Sequence, residues 1–147
     1  NFESRTFKIK RNPANPLNGE HPTINELIDY EQFCGVKAVE KPIKEITAKE
    51  LYDLQVRGED IQIIDVREPH EYEIANIGGA LIPLATVSAN ADKIDRNKKV
   101  IVHCKMGGRS AKAIHELEEK FGFKNLYNLK GGILGWIDEV QPELTKY

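Results

Sequence analysis

A short β-branched run leading directly into a cysteine, then two glycines, an arginine and a serine, constrains this chain more than any other feature. The stretch is Val100-Ile101-Val102-His103-Cys104-Lys105-Met106-Gly107-Gly108-Arg109-Ser110. Val100 to Val102 is continuously apolar, as expected of a parallel strand covered on both faces. The connection after it is too long for a two-residue turn and can curl around something. Gly107 and Gly108 allow positive φ and let backbone N–H groups turn inward. From Ser110 onward, Ala111, Ile114, Leu117 and Phe121 recur at helical spacing, so the loop is expected to end on a helix N-terminus. Free amides and the positive end of the helix dipole would point at whatever Cys104 carries. Lys105 and Arg109 add charge of the same sign. Such surroundings depress a thiol pKa and expose a nucleophilic thiolate. The plainer alternative is an inert core cysteine at a strand end, and the glycines, the flanking cations and the helix start argue against it.

These residues resemble the active-site loop of the rhodanese-like sulfurtransferases, which carry sulfur as a cysteine persulfide. A second resemblance is to the cysteine phosphatases, whose His-Cys-x5-Arg-Ser/Thr loop cradles phosphate. Here Lys105, Met106, Gly107 and Gly108 alone separate Cys104 from Arg109. A ring one residue shorter suits a single sulfane sulfur better than a tetrahedral phosphate, so the spacing favours sulfur transfer. A small cysteine phosphatase or arsenate reductase is the catalytic alternative, and a non-catalytic interaction module of the same fold is the third. The presence of the cysteine argues against the last. Asp65-Val66-Arg67-Glu68-Pro69, running on to Gly79-Ala80, resembles the first rhodanese signature. Its usual Gly-His-Ile-Pro-Gly-Ala is replaced by Ala75-Asn76-Ile77-Gly78-Gly79-Ala80. Lys130-Gly131-Gly132 with Trp136 resembles the family's closing motif, whose glycines permit close packing near the active loop.

The chain of 147 residues fits one ordinary globular domain, and a net charge of −2 gives no reason to expect nucleic-acid or membrane-surface binding. No apolar run reaches the roughly 18 residues of a membrane span, and no signal peptide is visible. Asn1 in the place of an initiator methionine suggests a fragment or processed chain. Cys34 and Cys104 do not make a disulfide framework, which points to a reducing cytoplasm. Cys34 is expected to be an ordinary, partly buried residue.

From residue 41 onward strand and helix signals alternate. Short strands are expected at Ile43–Ile46, Ile61–Val66, Ala80–Ile82, around Val100–Val102 and at Leu126–Leu129. Thr47-Ala48-Lys49-Glu50 reads as a capping box with Gly58 as a stop, and Pro69 as a first helical position. Pro83 to Ile94 reads as a weak helix with a polar loop after it, Gly122 closes the helix after the cysteine loop, and Gly131-Gly132 opens a terminal one. The pattern predicts an α/β fold, a doubly wound parallel sheet with helices on both faces, whose ligands bind at the carboxyl ends of strands. Asp65 and Arg67, at a strand end, are expected to form a fold-holding salt bridge that can also brace the active loop. Alternation turns His103 away from Cys104 and suggests a structural hydrogen bond over a general base. His70 reads as solvent-facing, Trp136 as core, and the histidines are not spaced as a metal site.

Residues 1–40 differ. Phe2 to Lys10 could be a short strand, three prolines and three asparagines between Asn12 and Pro22 make a loop, and Thr23 to Glu26 is a possible capping box. Asn15-Pro-Leu-Asn18-Gly and the stretch Pro22 to Gly35 resemble the C-terminal tail of MoeB/ThiF-type adenylyltransferases, where Cys-Pro-Leu-Cys-Gly gives half of a zinc site. Asn15 and Asn18 replace both thiolates, so no metal is expected here. The resemblance implies an irregular tail of an adenylyltransferase domain over 1–40 and a rhodanese-like domain over 41–147. It implies Cys104 as catalytic residue, with Lys105, Met106, Gly107, Gly108, Arg109 and Ser110 around the transferred sulfur. The implied partners are a sulfur donor (a cysteine desulfurase persulfide or thiosulfate), a ubiquitin-like sulfur-carrier protein and the upstream adenylyltransferase domain. No cofactor, ATP included, is expected on these residues.

Overall fold

The computed structural model describes residues 12–13 and 42–147; the expectations for Phe2–Lys10, Thr23–Glu26, His21, Cys34 and the Asn15/Asn18 positions lie outside them. The elements are β1 (Glu45–Ile46), α1 (Ala48–Val56), β2 (Ile61–Asp65), α2 (Pro69–Ile74), β3 (Ala80–Leu81), β4 (Lys99–His103), α3 (Gly108–Phe121), β5 (Leu126–Leu129) and α4 (Gly132–Glu139). The five strands form one parallel sheet in the order β1-β5-β4-β2-β3. The cysteine-bearing β4 lies at its centre, with Ile63 opposite Ile101 and Val100 opposite Leu126.

Period-two alternation divides the core. Ile64, Val100, Val102 and Leu126 face one side, against Ala113, Ile114 and Leu117 of α3. Ile63, Ile101 and Leu129 face the other, against Leu51 of α1 and Ile133, Trp136 and Ile137 of α4. Both faces of the sheet are therefore covered, as the continuous apolar runs predict. Truncation of a buried side chain such as Ile101 at such a site removes about 2–5 kcal/mol.

Local chemistry sets the helix starts. The Glu50 amide donates to Thr47 Oγ1 (3.2 Å), and Glu50 Oε2 accepts the Thr47 amide (2.9 Å). In α2, Pro69 takes the first position and Glu71 reaches back to the Glu68 amide (3.1 Å). Between β3 and β4 the expected weak helix is instead two 3-10 segments, Leu84–Thr86 and Ser88–Lys93, with Asn90 off the helical conformation. The weak helix formers Thr86, Val87, Ser88 and Asn90 fall in the middle of that stretch, and the chain leaves the helical conformation at Asn90.

Candidate active site

Alternation along β4 sends Val102 and Cys104 toward α3 and His103 toward the opposite face, as expected. The helix begins at Gly108, two residues before its apolar pattern starts, because the polar first turn carries no periodicity. The loop proper is thus Cys104–Gly107, and Gly108, Arg109 and Ser110 form the first turn of α3. Only one of the two glycines uses its conformational freedom: Gly107 sits at φ +107°, whereas Gly108 is not among the positive-φ residues and has open space where a Cβ would stand.

The left-handed Gly107 turns its N–H onto Cys104 Sγ at 3.1 Å. Ser110 Oγ lies 3.4 Å from the same sulfur. Burial pushes the thiol up, but the Ser110 hydroxyl and the amides of Ser110, Gly107 and Met106 more than offset it, leaving Cys104 below the ordinary thiol value. The cysteine is 2% exposed, while Met106 at the loop tip is 70% exposed.

The two cations expected to favour an anionic sulfur are both engaged elsewhere. Arg109 forms a forked pair with Glu71, Nη1 to Oε2 at 2.5 Å and Nη2 to Oε1 at 2.7 Å. This hydrogen bonding holds the Glu71 carboxyl down at about 2, against the opposing effect of burial, and raises Arg109. Arg109 still attracts the Cys104 thiolate at longer range. The Lys105 ammonium stands 4.6 Å from the centre of the Tyr147 ring. Oriented N–H and O–H dipoles, more than free charge, therefore stabilise the sulfur anion.

Asp65 and Arg67 form a fully buried pair, Nη2 to Oδ2 at 2.5 Å. Arg67 also donates to the carbonyls of Glu71 (3.2 Å) and Ala75 (2.8 Å) and to the Tyr147 hydroxyl. It ties the end of β2 to α2, and reaches the cysteine loop only indirectly, through Glu71 and Arg109 and through Tyr147 and Lys105. Three participants escaped the sequence reading. Glu71 was detectable as the partner of Glu68 at capping-box spacing. Asn128, a polar residue inside an apolar strand, demands a partner and finds Ser110 Oγ at 2.6 Å. Nothing local marks Tyr147.

His103 departs from expectation. Neither ring nitrogen has a hydrogen-bond partner among the described residues, and Nε2 stands 3.6 Å from Asp65 Oδ2. Burial, ahead of the upward pull of Asp65 and the downward push of Arg67, brings the imidazole to about 4. The unfolded chain takes up this proton near pH 6.5 and the folded one only near 4, so stability falls as pH drops through that window, by about 3 kcal/mol in total. Urea midpoints measured from pH 7 to 4.5 are expected to decline, and His103→Leu to flatten the decline. The lowered Glu71 carboxyl acts only below its ordinary value of 4.5, outside that range.

The N-terminus of α4 closes the site from below. Ile133 N–H donates to the Cys104 carbonyl (2.9 Å) and Leu134 N–H to that of Lys105 (3.2 Å). Gly132, at φ +58°, permits this approach, for a Cβ there would lie 2.5 Å from both carbonyl oxygens. Gly132→Ala is expected to cost roughly 2–4 kcal/mol of stability and to slow Cys104 alkylation, both readable on the same preparation. Trp136 is core, at 3% exposure, and His70 faces solvent. Among the described residues no group of His, Cys, Asp and Glu could hold a metal ion, and no helix is long and apolar enough to cross a membrane.

A parallel α/β sheet that presents one thiol in a cradle of amides at the carboxyl end of its central strand defines a cysteine-centred domain. Residues 47–139 match the rhodanese-like domain, and the chain belongs to that family. It is similar to the probable adenylyltransferase/sulfurtransferase MoeZ of Mycobacterium tuberculosis, 37% identical over 150 residues that span 97% of this chain and 36% of that protein. It is also similar to the adenylyltransferase and sulfurtransferase MOCS3 of Drosophila ananassae, 30% identical over 99% of this chain and 36% of the relative. The chain thus spans about a third of the length of these relatives. Among solved structures, a rhodanese-like domain protein from Staphylococcus aureus superposes with a TM-score of 0.60 at 31% identity, covering 67% of this chain and 95% of that one.

Proposed function

We propose that this chain is a sulfurtransferase domain that carries sulfane sulfur as a persulfide on Cys104 and passes it to the activated C-terminus of a ubiquitin-like sulfur carrier. The observation that carries the reading is the Gly107 N–H aimed at Cys104 Sγ within a four-residue spacer, a ring matched to one added sulfur atom. The Cys104 thiolate attacks the outer sulfur of a donor. A bond forms between Sγ and that sulfur, and the donor's own S–S bond breaks, releasing sulfite from thiosulfate or a thiolate from a desulfurase persulfide. The amides of Lys105 to Ser110 and the N-terminus of α3 receive the terminal sulfur and hold its negative charge.

In the second step the terminal sulfur attacks the carbonyl of a carrier's acyl adenylate, and AMP leaves. A second thiol then attacks Sγ and releases the carrier as a thiocarboxylate. The printed names of the MoeZ and MOCS3 relatives, which pair the two activities, support an adenylyltransferase domain as partner. On this reading residues 1–40 are the tail of such a domain and 41–147 the sulfurtransferase domain, working in a reducing compartment such as the cytoplasm. The product would supply sulfur for molybdopterin, thiamine or tRNA thiolation.

The test is mass spectrometry of the chain after one equivalent of thiosulfate or of a protein persulfide. A reductant-labile gain of one sulfur atom on the peptide containing Cys104 is expected; sulfur found only elsewhere would sink the proposal.

A further inference from the structure

The Ser110 hydroxyl is buried within reach of three acceptors: Asn128 Oδ1 at 2.6 Å, the Gly107 carbonyl at 3.0 Å and Cys104 Sγ at 3.4 Å. It has one proton to give. With Cys104 as a neutral thiol, a chain in one direction satisfies the buried groups. The S–H donates to Ser110 Oγ, and the hydroxyl donates to Asn128 Oδ1. Once the thiol proton has left to water, the sulfur is an anion and draws the hydroxyl proton to itself, because bonds to a charged acceptor are about twice as strong as neutral ones. Ser110 Oγ and Asn128 Oδ1 then face each other across 2.6 Å with no proton between them.

A half-turn of the Asn128 amide removes that conflict by bringing Nδ2, a donor, to Ser110 Oγ. The turn breaks no hydrogen bond of Nδ2 to the protein, since Nδ2 makes none among the described residues. Asn128 is 5% exposed, and its backbone is fixed in β5 by the bond from its amide to the Lys44 carbonyl (2.8 Å). The side chain alone is free to reverse. Once the sulfur is ionised, the amide is the one of the three acceptors around Ser110 that can become a donor.

We infer that Asn128 is a positioning residue for Cys104: its amide reverses from acceptor to donor as the sulfur ionises, and so delivers the Ser110 proton to the thiolate or the persulfide anion. The inference rests on reading Cys104 as the sulfur-carrying nucleophile. The charged and titratable groups gathered around the loop are Lys105, Arg109 on α3, Glu71 on α2, Arg67 after β2 and Tyr147. His115 and Glu45 line, with Asn128, a cavity of about 400 Å³ beside the loop. A substitution at Asn128 leaves all of these in place.

The test is the pH dependence of Cys104 alkylation by iodoacetamide on the whole chain, resolved by site so that Cys34 does not contribute. It compares the parent, Asn128→Leu and Asn128→Asp, each with Ser110 and with Ser110→Ala. The midpoint is expected to rise by about half to one pH unit in Asn128→Leu, which can neither donate nor accept. It should rise further in Asn128→Asp, which cannot reverse and adds a negative charge; the part of that rise that disappears with Ser110→Ala is the part owed to the lost reversal. In the Ser110→Ala background the difference between Asn128 and Leu should vanish. A midpoint in Asn128→Leu equal to or below the parent overturns the inference, as does a shift of equal size without the Ser110 hydroxyl. Asn128→Asp preserves shape, so it decides the matter if the leucine variant does not fold: an unchanged midpoint there is equally fatal. Titration in the expected order by a chain that accepts no sulfur would uphold the role of Asn128 and remove the persulfide reading alone.

Discussion

Cys104→Ser is expected to abolish sulfur loading and to lower transfer to an acceptor by on the order of 10³-fold or more, with the fold retained. The serine hydroxyl occupies nearly the same volume and can accept the Gly107 N–H that now meets sulfur at 3.1 Å. Packing against Val102 and Ala113 in the core beneath α3 changes little. What is lost is the ready ionisation of a thiol, since the amides and the Ser110 hydroxyl that draw Cys104 below its ordinary value cannot bring an alcohol into the same range. Thiosulfate-dependent thiocyanate or sulfide formation, followed beside thermal melting, separates the two effects. Full transfer by the variant would place the chemistry on another residue. Turnover of p-nitrophenyl phosphate that disappears with Cys104, in a chain that takes up no sulfur, would favour the phosphatase alternative.

Arg67→Ala is expected to lower stability by about 3–5 kcal/mol, the cost of leaving a buried charge without its partner. For a domain of this size that is a fall of roughly 12–25 °C in melting temperature. Arg67 and Asp65 are both fully buried and joined through Nε and Nη2. Burial opposes the charged guanidinium, but Asp65 and Tyr147 more than offset it, and Arg67 ends above its ordinary value. The same guanidinium satisfies the carbonyls of Glu71 and Ala75 at the far end of α2. Removing it leaves the buried Asp65 carboxylate with only the backbone amide of residue 67 (3.0 Å), the Glu71 carbonyl with only the long bond from the Ala75 amide (3.4 Å), and the Ala75 carbonyl without its guanidinium donor. Arg67→Lys keeps the charge but not the fork, and should recover only part of the loss. Because Arg67 touches no residue of the cysteine loop directly and reaches it only through Glu71 and Arg109 or through Tyr147 and Lys105, alkylation of Cys104 in the still-folded variant should change far less than its melting temperature.

The contrast between these two sites marks how much the residue pattern disclosed. Short apolar runs without polar alternation, such as Val100–Val102, separated by helical spacing and capping residues, are enough to predict a parallel sheet covered on both faces. The ionisation-favouring surroundings of Cys104, at a strand end before glycine and a helix, are legible in the sequence because they are built from residues adjacent in the chain. The Gly107 N–H and the Ser110 hydroxyl are both local. Gly108 lies inside α3 and needs no positive φ, which the sequence does not disclose because the polar first turn of the helix has no periodic signature.

Short-range order could not reveal which charges remain free. Arg109 is paired with Glu71, 38 positions away in the chain, and Arg67 meets Tyr147, 80 positions away. Those pairings arise from the crossing of elements, and no spacing rule encodes them. His103 behaves likewise. Alternation assigns its direction, but only the packing of β4 between β2 and β5 leaves both ring nitrogens without a hydrogen-bond partner among the described residues. Chain order thus specified the strands, the cradle and the thiol, since backbone geometry within a few residues sets each of them. Assembly of the sheet decided how the surrounding charges are spent, and brought Asn128 of β5 beside the Ser110 hydroxyl, because those contacts exist only once distant strands lie side by side.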